Sequence, residues 1–509
     1  MPLQNQHVYF LLRFQPPSNE SSLSMATVAT IVPVTSRPSS SSLASTNPEI
    51  KLISRLKKDD RPGDVWATLD SELPKPLDGR FVDIKRRLVT SENHAAVQDS
   101  WNRLLIALKD RAAEIEIAGP DYVPTVDFAS IGSDGRFPQG VADLIKSRGC
   151  CVVRGVVGRE QALEWKSQLI DYVTRHPAVA GNPLPPRDPQ WWKVYWTKPQ
   201  LQARSHPSVI ACQTAMSNLF SCGQDIEIDL SSQALYADRF RVRHPGDSRT
   251  LPAHLDNGSI ERWEDEENSR TFRAIWEGKW EDYDAWNMDH RAQAVIDLYG
   301  GPGACSVFRG IQGWLSLADN APRQGTLQLL PDIRLSTAYI LLRPFFDKND
   351  NLDMESTYFY GADPGMGQVV KESWHPGLYM DKTIVSAPKA APGDYVFWHC
   401  DMVHKVEETH GGTSDSSVAY IPVVPLTAYN IGNLVEQRKA FLEGVPPPDM
   451  VSRDGEEQEK HHEDRGKVED ILTLEGRRIM GLEQFDVEEE GLTPGQVAIR
   501  ALANEVLGF

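Results

Sequence analysis

Between Ala390 and Glu408 the chain runs AAPGDYVFWHCDMVHKVEE. A Pro-Gly-Asp turn leads into the apolar run Tyr395–Trp398, and the histidines His399 and His404 follow. A short apolar run behind a turn has the length and composition of a buried β-strand. Similar runs surround it: LYADRFRVRHPGD, CSVFRGIQGWLSL, GTLQLLP, STAYILLRPFF and SSVAYIPVVP, punctuated by PGD, NG, GGPG and HGGTSD. Many short strands without helices between them predict a mainly β core, a sandwich or barrel, with flanking helices.

Helical patterning lies outside that core. Val97, Trp101, Leu104, Leu105, Leu108 and Ala112 recur at helical spacing and stop before Gly119-Pro120. The segment GCCVVRGVVGREQALEWKSQL predicts a buried strand and then a helix carrying Trp165, Leu169, Tyr172 and Val173. Thr493-Pro494 opens a last helix. The expected organisation is a disordered tail over 1–48, a helical extension over 49–125, the β core over 126–430 and a helical, charged extension over 431–509. Insertions near 260–300 and 345–385 interrupt the core.

The chain of 509 residues carries a net charge of −18. Such an acidic surface repels phosphate backbones and anionic lipid, so neither nucleic acid nor a membrane is an expected partner. Six cysteines without a CxxC pair read as reduced thiols of a cytoplasmic protein. The Ser- and Pro-rich start, with Arg13 and Arg37 against the single acid Glu20, leaves a mitochondrial address as the alternative, and Met25 offers a second start.

His-x-Asp occurs three times: His254/Asp256, His399/Asp401 and His462/Asp464. His462 stands in the charge run KHHEDRGK and reads as an exposed loop. His254 and Asp256 end a β-like stretch before the turn NGS, where strand alternation sends residues i and i+2 to one face. A histidine from a late strand then completes a two-His, one-carboxylate set, which leaves positions open on iron(II). His404 is the expected third ligand, and His399 a core or supporting histidine. Trp314 and Trp398 read as core aromatics, with a place beside the metal as the lesser reading for Trp398, and Asp394 as a cap on the turn before its strand.

The order of AHLDNG, GWLSLADNAPRQGTLQLLPDIR and APGDYVFWHCDMVH, with GCCVVRGVVGREQALEWKSQL upstream, resembles the iron(II)/2-oxoglutarate-dependent dioxygenases of the phytanoyl-CoA hydroxylase-like group. The whole layout resembles the family known as domain of unknown function 1479. The resemblance implies a double-stranded β-helix (jelly roll, cupin-like) core. It also implies iron(II) as cofactor, 2-oxoglutarate and O₂ as co-substrates, and hydroxylation of a small-molecule substrate. Such enzymes hold the far carboxylate of 2-oxoglutarate with a base on the strand after the last histidine. Here that strand, DSSVAYIPVVP, has none. Arg241, Arg309 and Ser417 are the candidates to replace it, with Arg239, Arg241 and Arg243 sharing one strand face by alternation. Two alternatives stay open: a non-catalytic jelly-roll protein, and a metal enzyme of the same fold using another co-substrate.

Overall fold

The computed structural model describes residues 72–179, 181–182, 190–248, 250–301, 305–450 and 455–509. The expected tail over 1–48 and the first part of the helical extension lie outside the described residues. Among these residues the strands, in chain order, are β1 (Thr125–Asp127), β2 (Cys150–Arg154), β3 (Gly181–Asn182), β4 (Trp191–Trp192), β5 (Ile228–Gln233), β6 (Phe240–Arg243), β7 (His254–Leu255) and β8 (Ile311–Ser316). Then come β9 (Leu327–Leu329), β10 (Gln368–Val369), β11 (Val385–Ser386), β12 (Tyr395–His399), β13 (His404–Val406), β14 (Ser416–Tyr420) and β15 (Pro425–Thr427).

They form an eight-stranded sheet, β1-β2-β12-β8-β14-β6-β4-β3, a five-stranded sheet, β10-β7-β13-β9-β11, and a β15-β5 pair. The chain alternates between the two large sheets from β6 to β9 and again from β12 to β14. Register fixes which side chains look inward. Trp398 pairs with Gln312, Trp314 with Val396 and Tyr420, and Val418 with Ser316 and Arg241. Cross-strand partners share a face, so these residues line one side of the eight-stranded sheet. That side faces the five-stranded sheet: the Trp398 ring lies 5.3 Å from the ring of His404 on β13.

The turns follow their sequence. Gly393 has φ +91, and a Cβ there would stand 2.0 Å from the Val157 carbonyl oxygen, so only glycine fits. Asp394 accepts from the backbone N–H groups of Gly155 and Ala391, tying the turn to the end of β2.

Helices flank the sheets. The helix His94–Ala118 buries Val97, Trp101, Leu104, Leu108, Ala112 and Ile115 on one stripe, and Trp101 stacks on Tyr339 and Phe346 at 5.1 and 4.3 Å. Full burial of each such large side chain contributes about 1.5–3 kcal/mol. The helix Arg159–Arg175 follows β2 and buries Trp165, Leu169 and Tyr172. Thr493 caps the helix Pro494–Leu507 in a capping box with Gln496. Arg500 of that helix reaches Asp229 on β5 at 2.6 Å.

The expectation of a mainly β protein is corrected: helices hold more of the described residues than strands do. Much of the difference comes from the flanking segments and from the 260–300 insertion, which folds as short helices. One predicted strand is also a helix. STAYILLRPFF contributes Ser336–Leu342 to the helix Ile333–Leu342, buried everywhere except Arg334. An all-round buried helix loses its 3.6-residue apolar rhythm and resembles a strand. Its start is set by Asp332, whose carboxylate accepts from the Leu335 N–H at 2.9 Å. His462 is likewise not exposed. It stacks on His176 with ring centroids 3.6 Å apart and bonds the Tyr172 hydroxyl at 2.7 Å. No helix among the described residues is long and apolar enough to cross a membrane.

Candidate metal centre

His254 opens β7 and His404 opens β13, and the two are direct cross-strand partners. Their rings lie 4.2 Å apart, centroid to centroid. His404 therefore does not extend the strand that carries His399. The chain turns at Cys400–Val403 and enters the other sheet, where His404 starts a new strand. Asp401 lies in that turn, not on the strand with His399. Asp256 lies just beyond β7, at the turn closed by the Gly258 N–H donating to the Asp256 carbonyl at 3.0 Å. Gly258 has φ +76, which suits it to this turn.

The three side chains converge. Asp256 Oδ1 lies 3.3 Å from His254 Nε2, and Asp256 Oδ2 lies 3.4 Å from His404 Nε2. Both imidazoles are held from behind in the same way: His254 Nδ1 faces the Pro252 carbonyl at 2.7 Å and His404 Nδ1 faces the Met402 carbonyl at 3.0 Å. A carbonyl accepts only, so each Nδ1 carries the proton. In the neutral ring, Nε2 then presents a lone pair toward the carboxylate. With both rings neutral, three acceptors aimed at one point repel unless a proton or a metal cation sits among them. Backbone carbonyls that fix the tautomer are the usual support behind metal-binding histidines. The residues present therefore fit a metal ion with a mixed nitrogen and oxygen set.

Burial, and next the neighbouring His254, keep the His404 imidazole below its ordinary range. Burial opposes the charge on Asp256, but the two imidazoles hold its carboxyl well below the usual carboxylate range. The histidine side chains are buried, whereas the Asp256 side chain is 27% exposed, so the cluster opens on its carboxylate side.

A second group of possible ligands, His399, Cys400 and Asp401, is nearby in sequence. Its atoms are already engaged. Asp401 bonds Arg291 at 2.6 Å and lies 3.5 Å from Arg262. His399 Nε2 faces the Ala285 carbonyl at 3.0 Å, and its Nδ1 accepts from the Asp401 N–H.

The Gig2-like family matches residues 75–482. The chain belongs to the Gig2-like family. Over 404 residues it is 33% identical to the uncharacterized protein YbiU of Escherichia coli (strain K12), covering 76% of this chain and 92% of that one. The crystal structure of GlcNAc Inducible Gene 2, GIG2 (DUF1479), from Candida albicans superposes with a TM-score of 0.79 at 38% identity, covering 86% of this chain and 96% of that one. The hypothetical protein JW0805 of Escherichia coli gives a TM-score of 0.69 at 30% identity, over 80% and 98% of the two chains. This is the domain-of-unknown-function 1479 group that the whole layout of the chain resembles.

In this Gig2-like chain the other candidate residues fall in different places. Arg309 reaches the cluster, with Nη2 4.0 Å from Asp256 Oδ2. Arg241 shares the inward face of the eight-stranded sheet. Its Nη2 donates to Gln190 at 3.2 Å, its guanidinium lies over Trp191, and its buried Nε has no partner. On the same strand Arg243 is spent on the carbonyls of Gly325, Asp247, Glu407 and Glu408. Ser417 is corrected. Strand alternation turns it away from the face that Ser416, Val418 and Tyr420 share, and its hydroxyl donates to Asp415.

Of two neighbours of the cluster, Gln312 was not foreseen, and Trp398 was weighed there only as the lesser reading. With its amide oriented so that both atoms are satisfied, Gln312 donates to Asp256 Oδ2 at 2.8 Å and accepts from Trp398 Nε1 at 3.2 Å. Trp398 is therefore a neighbour of the cluster as well as a core aromatic. A signal for Gln312 was present in IQGWLS, where a glutamine shares a buried strand face with Trp314.

Proposed function

We propose that this chain is a mononuclear non-haem iron(II) oxygenase on a jelly-roll core, with 2-oxoglutarate as co-substrate and a small molecule as substrate. The observation that carries the proposal is the convergence of His254, Asp256 and His404, with both Nδ1 positions pinned to backbone carbonyls. Two facing sheets with the chain alternating between them support the jelly-roll reading.

Iron(II), when bound, supplies the activation of O₂ and the one-electron chemistry that no side chain provides. The chain's residues do the rest. His254, Asp256 and His404 would hold the ion on one face and leave the opposite side for ligands. Gln312 fixes the Asp256 carboxylate through Oδ2. Trp398 braces Gln312 and shields the His404 ring. Arg241, inward-facing and with one donor unpaired, is the base proposed to hold the far carboxylate of 2-oxoglutarate in place of the one that β14 lacks.

The test is anaerobic addition of iron(II) and 2-oxoglutarate to the purified chain, followed by air. A weak visible charge-transfer band and then succinate are expected. Bound iron without the band points to another co-substrate on the same fold, which the absence of a base on β14 would favour. Failure to bind any metal ion removes the proposal.

A further inference from the structure

Arg309 is the one described cation against the metal cluster, and its donors are unused. It precedes β8, and its side chain is 17% exposed. Its ionic contact with Asp256, at 4.0 Å, is beyond hydrogen-bond reach. Its guanidinium lies over the Tyr236 ring at 5.3 Å, which fixes the plane of the fork without occupying an N–H group. The other acids and hydroxyls around it are committed elsewhere. Asp238 accepts from Arg239 through both the backbone N–H and Nε, and the Tyr236 hydroxyl donates to Asp449 at 3.2 Å. Arg309 thus offers five N–H donors, and no described residue accepts from any of them. Asp256 does not discharge it either, because a carboxylate bound to a metal ion shares its charge with that ion.

We propose that Arg309 determines specificity by holding an anionic group, a carboxylate or phosphate, of the substrate beside the metal ion. The inference rests on the metal-centre reading given above. A guanidinium fork pairs with such groups bidentately, and a cationic or wholly apolar substrate would leave Arg309 desolvated and unpaired. The far carboxylate of 2-oxoglutarate is the other anion to consider. It stands three carbon–carbon bonds from the atoms that chelate the ion, whereas Arg309 stands against a ligand oxygen itself. Position therefore separates the two bases: Arg309 serves the substrate, and Arg241 the co-substrate.

The experiment uses the full chain, loaded with cobalt(II) and saturated with 2-oxoglutarate. Inorganic phosphate and acetate are titrated separately by calorimetry into the wild type, Arg309→Gln and Arg309→Lys. At least one anion is expected to bind the wild type at millimolar concentration. Arg309→Gln should weaken that binding about tenfold or more, the scale of a lost charge-assisted hydrogen bond, and Arg309→Lys should retain part of it. Affinities for cobalt(II) and for 2-oxoglutarate should stay within about threefold of the wild type in both variants, which a mere support for Asp256 would not allow. Equal anion binding by all three proteins, or tighter binding of choline than of either anion, overturns the proposal. Loss of 2-oxoglutarate binding in Arg309→Gln overturns it too, because Arg309 would then serve the co-substrate. If the wild type takes up no cobalt(II), the oxygenase reading fails, and the same titrations on the metal-free chain still decide the role of Arg309.

Discussion

Two clusters in this molecule have nearly the same composition and opposite chemistry. His254, Asp256 and His404 form one, and His399, Cys400 and Asp401 the other. In the first, each Nδ1 faces a backbone carbonyl and each Nε2 faces the Asp256 carboxylate. In the second, the carboxylate already has its cation, Arg291 at 2.6 Å with Arg262 behind it, and burial pushes the Cys400 thiol up. Residue types propose a metal site. What the second nitrogen of each histidine touches, and whether a guanidinium has claimed the carboxylate, separates a site from a structural ion pair.

That contrast can be broken by substitution, and the largest effect should come from the structural cluster. Asp401→Ala leaves Arg291 and Arg262 buried without their anion and should cost about 3–5 kcal/mol, measured by urea unfolding of the metal-free chain. Next, His254→Ala or Asp256→Ala should lower metal affinity at least about a hundredfold, or roughly 2.7 kcal/mol, with the fold retained by circular dichroism. His399→Ala should leave metal affinity within about threefold of the wild type. If His399→Ala loses the metal and His404→Ala keeps it, the two clusters have been assigned the wrong way round.

The pH response sharpens the same contrast. Burial lowers the His399 pKa to about 4, against about 6.5 in an unfolded chain. The unfolded state therefore binds the extra proton between those values. The contribution of His399 is complete above pH 6.5 and is lost as the pH falls toward 4, by about 2–3 kcal/mol. His399→Asn should flatten that limb of the stability curve. Asp401, held down to about 2 mainly by Arg291 against its burial, adds a separate loss below pH 4. The smallest effect belongs to Gln312→Leu. It removes a support and not a ligand, and should weaken metal binding by about tenfold.

The sequence carried the parts of this arrangement that depend on short-range pattern. The turn at Gly393-Asp394, the strand behind it, the His254/Asp256 pair and the cap at Thr493 all follow from neighbours in the chain. Three features were hidden because they are properties of packing. The helix Ile333–Leu342 is buried on nearly every side, so no polar face marks its period. His462 sits in a run of charges, and only the docking of that run on Tyr172 and His176 covers it. Gln312 meets Asp256 across the gap between two sheets, and no spacing along the chain reports that contact.

The pairing of His254 with His404 on neighbouring strands limits what the chain can change without losing the centre. Adding or deleting one residue in the link Cys400–Val403 would shift β13 by one position relative to β7. Such a slip turns every side chain of a strand over, so Val403 or Lys405 would point inward where the imidazole now stands. The length of this link is therefore under the same constraint as the ligands themselves.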